Sequence, residues 1–323
     1  MPFRILSLDG GGIRGLFQAV YLSELSKRLP KNIHECFDMI AGTSTGSIVT
    51  MGLVNGIDPA RIADMFRSDG PKIFKKPMRV PIIGSALHSG SKYKTEPLES
   101  ALRRILGNKL VSDALCHFVV PAVTLNTYRC KVFSNAYGSK TDDELLAVDV
   151  ALASSAAPTY FSSVTPSGSN RSFVDGGLFA NDPSFVAAMV AHQELDVPFS
   201  DMRFLRLGNG RVQSGLTPDE YDNLTELNTI GPLFEMMFES QGTWIDAVLA
   251  ALCSGEHLVR VNPELAEFVE LDDPAAAISR LPARAEEEAR ETTERVKRLL
   301  GIQTNGGGGG GWEGMCEAPV GDF

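Results

Sequence analysis

A short extended stretch, Phe3-Arg4-Ile5-Leu6-Ser7-Leu8, runs into three consecutive glycines, Gly10-Gly11-Gly12. A helical repeat of apolar residues follows: Leu16, Ala19, Val20, Leu22, Leu25 and Leu29, ended by Pro30. The pattern recurs at once. Phe37 to Ala41 is short and apolar, Gly42-Thr43-Ser44-Thr45-Gly46 comes next, and a second helix runs from about Gly46 to Asn55-Gly56. Two strand–turn–helix units within 56 residues constrain the fold strongly. A helix after each strand carries the chain back, so that the next strand lies parallel to the last.

The alternation continues. Asp58-Pro59 reads as an N-cap with proline at the first helical position, and another helix falls near 96–106. Phe118–Thr124 and Arg129–Phe133 read as strands, Val148–Ser155 as a helix, and Ser172–Val174 as a strand ending in Asp175-Gly176-Gly177. A helix from Pro183 and a strand at Arg203–Leu207 complete this part. The final third reads as mostly helical, with Glu/Arg pairs over 284–300 forming a solvated face. The expected class is α/β: a three-layer α/β/α arrangement with a largely parallel central sheet. No repeat or linker interrupts 1–303, which is expected to form one domain with its motif core at 3–210. The unbroken glycine run Gly306 to Gly311 marks 304–323 as a disordered tail.

Composition narrows the partners. A formal charge of −10 excludes a general nucleic-acid binder, which would carry a basic face, and excludes whole-molecule attraction to anionic lipid. The five cysteines (Cys36, Cys116, Cys130, Cys253, Cys316) are scattered and lack zinc-site spacing, so they read as reduced, mostly buried thiols. The first strand lacks the basic and apolar regions of a signal peptide. The longest apolar run, Ala247 to Cys253, is too short to span a bilayer. A cytoplasmic protein that touches membranes from one side is expected, with no metal and no cofactor.

Three motifs carry chemistry. Asp9-Gly10-Gly11-Gly12-Ile13-Arg14-Gly15 contains GxGxxG at a strand-to-helix turn. A dinucleotide-binding turn would need an acidic residue at the end of the next strand, where Ala41-Gly42-Thr43-Ser44 stands instead. Exposed amides at a helix start equally suit a developing oxyanion; on this motif alone both readings stay open. Gly42-Thr43-Ser44-Thr45-Gly46 fits GxSxG, whose glycines give room for a serine on a strained turn at the carboxyl end of the sheet. Asp175-Gly176-Gly177 alone is an ordinary turn.

Taken together, DGGGIRG at 9–15, GTSTG at 42–46 and DGG at 175–177 resemble the patatin-like phospholipase family. Residues 154–161 (SSAAPTYF), Asn181-Asp182-Pro183 and Leu207-Gly208-Asn209-Gly210 are also similar, the last departing from the more usual LGTG. The likeness covers residues 3 to about 210 well and 211–300 loosely. It implies a serine lipid acyl hydrolase with Ser44 as nucleophile and Asp175 as general base, supported by Gly42, Gly46, Gly176 and Gly177. It further implies an oxyanion hole drawn from Gly10, Gly11, Gly12, Ile13, Arg14 and Gly15, chiefly Gly11 and Gly12. Arg14 would face a lipid phosphate or hold the loop. A Ser44–Asp175–His257 triad matches the chain order of α/β-hydrolases, but their elbow usually follows several strands, and here it follows the second.

The implied substrate is a glycerophospholipid or related glycerolipid, met by transient peripheral membrane contact. The stretch 70–94 holds Lys72, Lys75, Lys76, Arg79, Lys92 and Lys94 without an acidic residue, among Ile73, Phe74, Met78, Ile82 and Ile83. It reads as a long loop, with a lid or membrane-docking element as its functional reading. The layout also resembles patatin-like antiphage effectors switched on by cyclic nucleotides, so a cyclic-nucleotide activator is a candidate partner. A non-catalytic sensor of the same fold is the competing class.

Overall fold

The computed structural model describes residues 2–75, 90–137, 142–211, 215–224 and 230–303. Among them, β1 (Phe3–Leu8), β2 (Met39–Gly42), β3 (His117–Thr124), β4 (Arg129–Ser134), β5 (Phe173–Asp175), β6 (Met202–Leu207) and β7 (Leu258–Val261) make one sheet. Its order is β4-β3-β2-β1-β6-β7, with β5 beside β3. From β3 to β7 neighbours are parallel, whereas β4 and β5 run antiparallel to β3.

The helices are α1 (Gly15–Ser26), α2 (Ile33–Cys36), α3 (Thr45–Val54), α4 (Pro59–Ile73), α5 (Glu96–Leu106) and α6 (Ala147–Ser154). They continue with α7 (Gly177–Ala180), α8 (Ser184–Glu194), α9 (Pro218–Asp222), α10 (Ile230–Leu252) and α11 (Pro274–Leu300). Strand alternation splits the core between two faces. Leu6 and Leu8 of β1 join α1, α3, α4, α5, α6 and α11 on one side. Ile5 joins α8 and α10 on the other. The result is the three-layer α/β/α fold expected.

One feature of the sheet positions the site. β4 covers one edge of β3 over Val119–Thr124, so β5, which pairs with Ala122–Thr124, must take the opposite edge. That is the edge β2 occupies lower down, where Ala41 lies opposite Val119. Continuing that register past the end of β2 brings Ser44 level with Ala122, the residue that pairs with Asp175.

Behind the first glycine turn, a buried ionic network ties the carboxyl ends of β1, β6 and β7 to α10. Arg206 of β6 donates to Asp182 at 2.6 Å and to Asp246 of α10 at 2.5 Å. Arg260 of β7 grips Asp9 at 2.5 and 3.1 Å and lies 3.5 Å from Asp182. Burial alone would push the Asp182 carboxyl up, but the two guanidiniums hold it well below the usual carboxylate range.

The differences from expectation are local. β7 was not foreseen: it is four residues long with an arginine in the middle, and that arginine turns towards Asp9. Residues 70–73, read as loop, form the last turn of α4 despite Pro71. The rest of the basic stretch from 76 to 89 lies outside the described residues, as does the glycine-rich tail. Cys36 and Cys253 are buried, but Cys130 is exposed on β4 and Cys116 only partly covered.

Replacing Asp182 by alanine removes the shared partner of two guanidiniums, and breaking a buried pair in this way costs about 3–5 kcal/mol. Urea unfolding of Asp182→Ala should show that loss; unchanged stability would mean the network is not a structural tie.

Candidate active site

The second glycine turn forces its serine outward. Ser44 sits between β2 and α3 with φ 52° and ψ −121°, a conformation that non-glycine residues rarely hold unless their surroundings fix it. Here the surroundings do. The Ser44 amide donates to Ser154 Oγ at 3.0 Å, and Ser154 Oγ donates to the Pro121 carbonyl at 2.7 Å. Ser155 Oγ donates to the Ser44 carbonyl at 2.9 Å. The flanking glycines leave no room for a side chain: a Cβ on Gly46 would lie 2.2 Å from the Leu8 carbonyl oxygen, and one on Gly42 equally close to that of Gly46.

Ser44 Oγ donates to Asp175 Oδ2 at 2.7 Å. The other carboxylate oxygen, Oδ1, accepts the Gly177 amide at 2.7 Å, so the carboxylate cannot swing away. Gly176 is needed because a Cβ there would meet the Pro121 carbonyl oxygen at 2.2 Å. Asp175 is 4% exposed and has no cation beside it among the described residues. Burial therefore pushes its carboxyl up to about 6, against the pull of the hydrogen bonds from Ser44 and Gly177.

The first glycine turn lies alongside. Of the six residues singled out there, four have committed amides. Gly10 donates to the Asn181 carbonyl at 3.0 Å, Ile13 to that of Leu271 at 2.9 Å and Arg14 to that of Gly11 at 3.1 Å. Gly15 bonds back into the preceding turn. Gly11 and Gly12 keep their amides unpaired among the described residues, and both line the same cavity as Ser44 and Asp175. Arg14 is 3% exposed, is held by Glu235 of α10 at 2.8 Å, donates from Nε to the Gly11 carbonyl at 3.4 Å and borders a polar cleft beside the turn.

The cavity and the open solvent at its mouth together offer about 740 Å³ of space between protein atoms. Ile48, Phe66, Phe74, Phe161, Phe234 and Phe238 form much of an almost wholly apolar wall. Phe234 and Phe238 come from α10, whose part in the site no motif announced. Ser154 and Ser155 stood inside a recognised stretch, but their bracing of the elbow could not be read from it. No histidine lines the cavity among the described residues. His257 precedes β7 and so lies at the amino end of a parallel sheet whose carboxyl end carries Ser44.

A three-layer α/β fold with a serine–aspartate pair on a glycine elbow, beside a glycine-rich turn, defines a class of protein. The chain belongs to the patatin-like phospholipase family, whose model matches residues 6–188. It is 32% identical over 235 residues to a cGAMP-activated phospholipase of Vibrio cholerae, covering 67% of this chain and 66% of that protein. To a cGAMP-activated phospholipase of Escherichia coli it is 31% identical, covering 67% and 64%. To patatin-like protein 1 of Arabidopsis thaliana it is 33% identical, covering 62% and 55%. The matched regions thus span just under two thirds of the first two relatives.

The buried, uncompensated Asp175 has a consequence for stability. Its folded-state pKa, about 6, lies above the ordinary 3.8, so the folded protein holds this proton more tightly than the unfolded chain. The group is neutral in its effect below the lower value and destabilises progressively as pH rises from the lower value to the higher one, by about 3 kcal/mol at most. Asp175→Asn should therefore be the more stable protein above pH 7 in chemical denaturation, with the difference vanishing as pH falls from 6 to 4. A variant less stable than wild type at neutral pH would contradict the assignment.

Proposed function

We propose that the chain is a serine lipid acyl hydrolase acting on carboxylic esters of glycerophospholipids or related glycerolipids. The observation that carries this reading is the 2.7 Å hydrogen bond from Ser44 Oγ to a buried Asp175, at the polar end of an apolar cavity. The acyl chain occupies the cavity and sets the ester carbonyl beside Ser44. As Ser44 Oγ attacks the carbonyl carbon, its proton passes to Asp175 Oδ2 and the carbonyl oxygen becomes an oxyanion facing the Gly11 and Gly12 amides. The tetrahedral intermediate collapses, Asp175 returns the proton to the departing alkoxide, and an acyl-Ser44 ester remains. Water then attacks this ester with Asp175 again taking the proton, releasing fatty acid and restoring Ser44.

A carboxylate at its ordinary pKa of about 4 is a weak base towards a hydroxyl. Raised to about 6, Asp175 is a better acceptor and still ionised at neutral pH.

Membrane approach fits α7 and α10. Leu178 and Phe179 are exposed on α7, directly after the DGG turn, and Leu233, Met236 and Trp244 on α10, which walls the cavity. With a net charge of −10, this apolar face suits a neutral or zwitterionic surface better than an anionic one. Among the described residues no helix is long and apolar enough to cross a membrane. The relatives named for activation by cGAMP support a cyclic-nucleotide switch here as well.

Lipid profiling by mass spectrometry of membrane extract, with and without cGAMP, should show lysolipid and fatty acid released by wild type but not by Ser44→Ala or Asp175→Asn. Retained activity in both variants would refute the dyad. Failure of Ser44 to react with a fluorophosphonate, with or without cGAMP, would favour a binding protein. The kcat/KM profile should fall tenfold per pH unit below about 6, because a protonated Asp175 cannot accept the serine proton. A profile flat down to pH 5 would exclude Asp175 as the base.

A further inference from the structure

Two unpaired amides serve an oxyanion only if they point at it, and glycine alone leaves both peptide planes free to turn. We propose that Asn209, backed by Asn181, is the positioning residue that aims the Gly11 amide towards Ser44. The inference rests on reading Gly11 and Gly12 as oxyanion donors.

In a planar trans peptide, the carbonyl of one residue and the amide of the next point to opposite sides. Whatever fixes the Gly10 carbonyl therefore fixes the Gly11 amide. The Gly10 carbonyl oxygen accepts from Asn209 Nδ2 at 2.9 Å and from Asn181 Nδ2 at 3.3 Å. Both donors line the polar cleft beside the turn, whereas Gly11 and Ser44 line the acyl cavity. With its carbonyl held towards the cleft, the peptide presents the Gly11 amide to the cavity.

Asn209 is itself locked. Its Nδ2 also donates to the Asp9 carbonyl at 3.1 Å, so both of its hydrogens are committed to successive carbonyls. Facing two acceptors, that end of the carboxamide must be the nitrogen. Asn209 and Asn181 are each 5% exposed. The Asn181 main chain contributes as well, accepting the Gly10 amide at 3.0 Å and donating to Gln241 Oε1 at 2.8 Å. The contact is tight enough to require glycine, since a Cβ on Gly11 would lie 2.5 Å from Asn209 Nδ2.

The next peptide needs no such help. The Gly11 carbonyl accepts the Arg14 amide at 3.1 Å and Arg14 Nε at 3.4 Å within its own short turn, which fixes the Gly12 amide without a distant residue. Dependence on a distant side chain thus falls on Gly11. In the LGNG stretch asparagine stands where threonine is more usual. A threonine hydroxyl has one hydrogen and could hold only one of the two carbonyls.

The test compares wild type with Asn209→Ala, Asn209→Asp and Asn209→Thr on a soluble p-nitrophenyl acyl ester. A trifluoromethyl ketone bearing the same acyl chain and an unreactive ether analogue probe binding. Only the ketone adds Ser44 Oγ to form a hemiketal whose oxygen stands where the oxyanion would. Loss of the Gly11 donor should lower kcat by about 10²–10³ in the alanine and aspartate variants, with KM within about threefold. Ketone affinity should fall in parallel, ether affinity should hold, and the acid limb near pH 6 should stay, since the Ser44–Asp175 bond is untouched. Asn209→Thr should lie between.

Folded Asn209→Ala and Asn209→Asp proteins with kcat within threefold of wild type would overturn the proposal, as would equal losses of ketone and ether affinity. If neither variant folds, Asn209→Thr decides by the same ketone-to-ether comparison. An active Ser44→Ala protein would instead sink the underlying catalytic reading. An inactive one, beside fully active Asn209 variants, would sink this inference alone.

Discussion

Everything at the site depends on β3 being shared. One of its edges is taken by β4, and the other by β2 at the bottom and by β5 at the top. A serine that leaves β2 and an aspartate that ends β5 are thereby set level, although they lie 131 residues apart in the chain. Neither turn could make the contact alone. The elbow pushes Ser44 up and out, and the antiparallel return of β5 brings Asp175 down to meet it. The Pro121 carbonyl sits at the junction, accepting from Ser154 and packing against Gly176, so the same stretch of β3 braces both partners.

Two buried aspartates show how environment rather than residue type sets chemistry. Asp182 has two guanidiniums beside it and stays fully ionised, a fixed strut between β6 and β7. Asp175 has a hydroxyl and one amide, no cation among the described residues, and a carboxyl pushed up to about 6. The fold supplies abundant positive charge at the carboxyl end of the sheet but keeps it behind the first glycine turn, away from the cavity. Had either guanidinium faced Asp175, the carboxylate would be a better strut and a poorer base.

Much of this was legible in the sequence, because glycine and local periodicity speak within a few residues. The parallel α/β plan, the elbow, the helix starting at Asp58-Pro59 and the DGG turn follow from short-range pattern. The meeting of Ser44 with Asp175 does not, since register across a shared strand is a long-range property; only the family resemblance pointed to it. Length misled at β7, where four residues with a central arginine carry too little alternation to read as a strand. Charge leaves Arg14 open between a lipid phosphate and the loop, because the carboxylate that pairs with it lies 221 residues away on α10, beyond the reach of local pattern. The same distance in sequence hid Phe234 and Phe238. The start of the basic stretch reads as loop, yet Ile73 ends α4, Phe74 caps it, and both enter the cavity wall.

The first glycine turn is best understood as a surface with two sides. Towards the cavity it presents Gly11, Gly12 and the apolar Ile13. Away from it, every group is engaged: the Asp9 and Gly10 carbonyls with Asn209, the Gly10 amide with Asn181, the Ile13 amide with Leu271 and the Arg14 guanidinium with Glu235. A Cβ at Gly12 would strike the Leu271 carbonyl at 2.2 Å, so the turn fits its support as closely as a packed core does. A flexible glycine loop would have to be ordered by each substrate at an entropic cost. This one is ordered beforehand from behind, by partners drawn from four separate parts of the chain, and on the proposed catalytic reading its amides would meet developing charge without first rearranging.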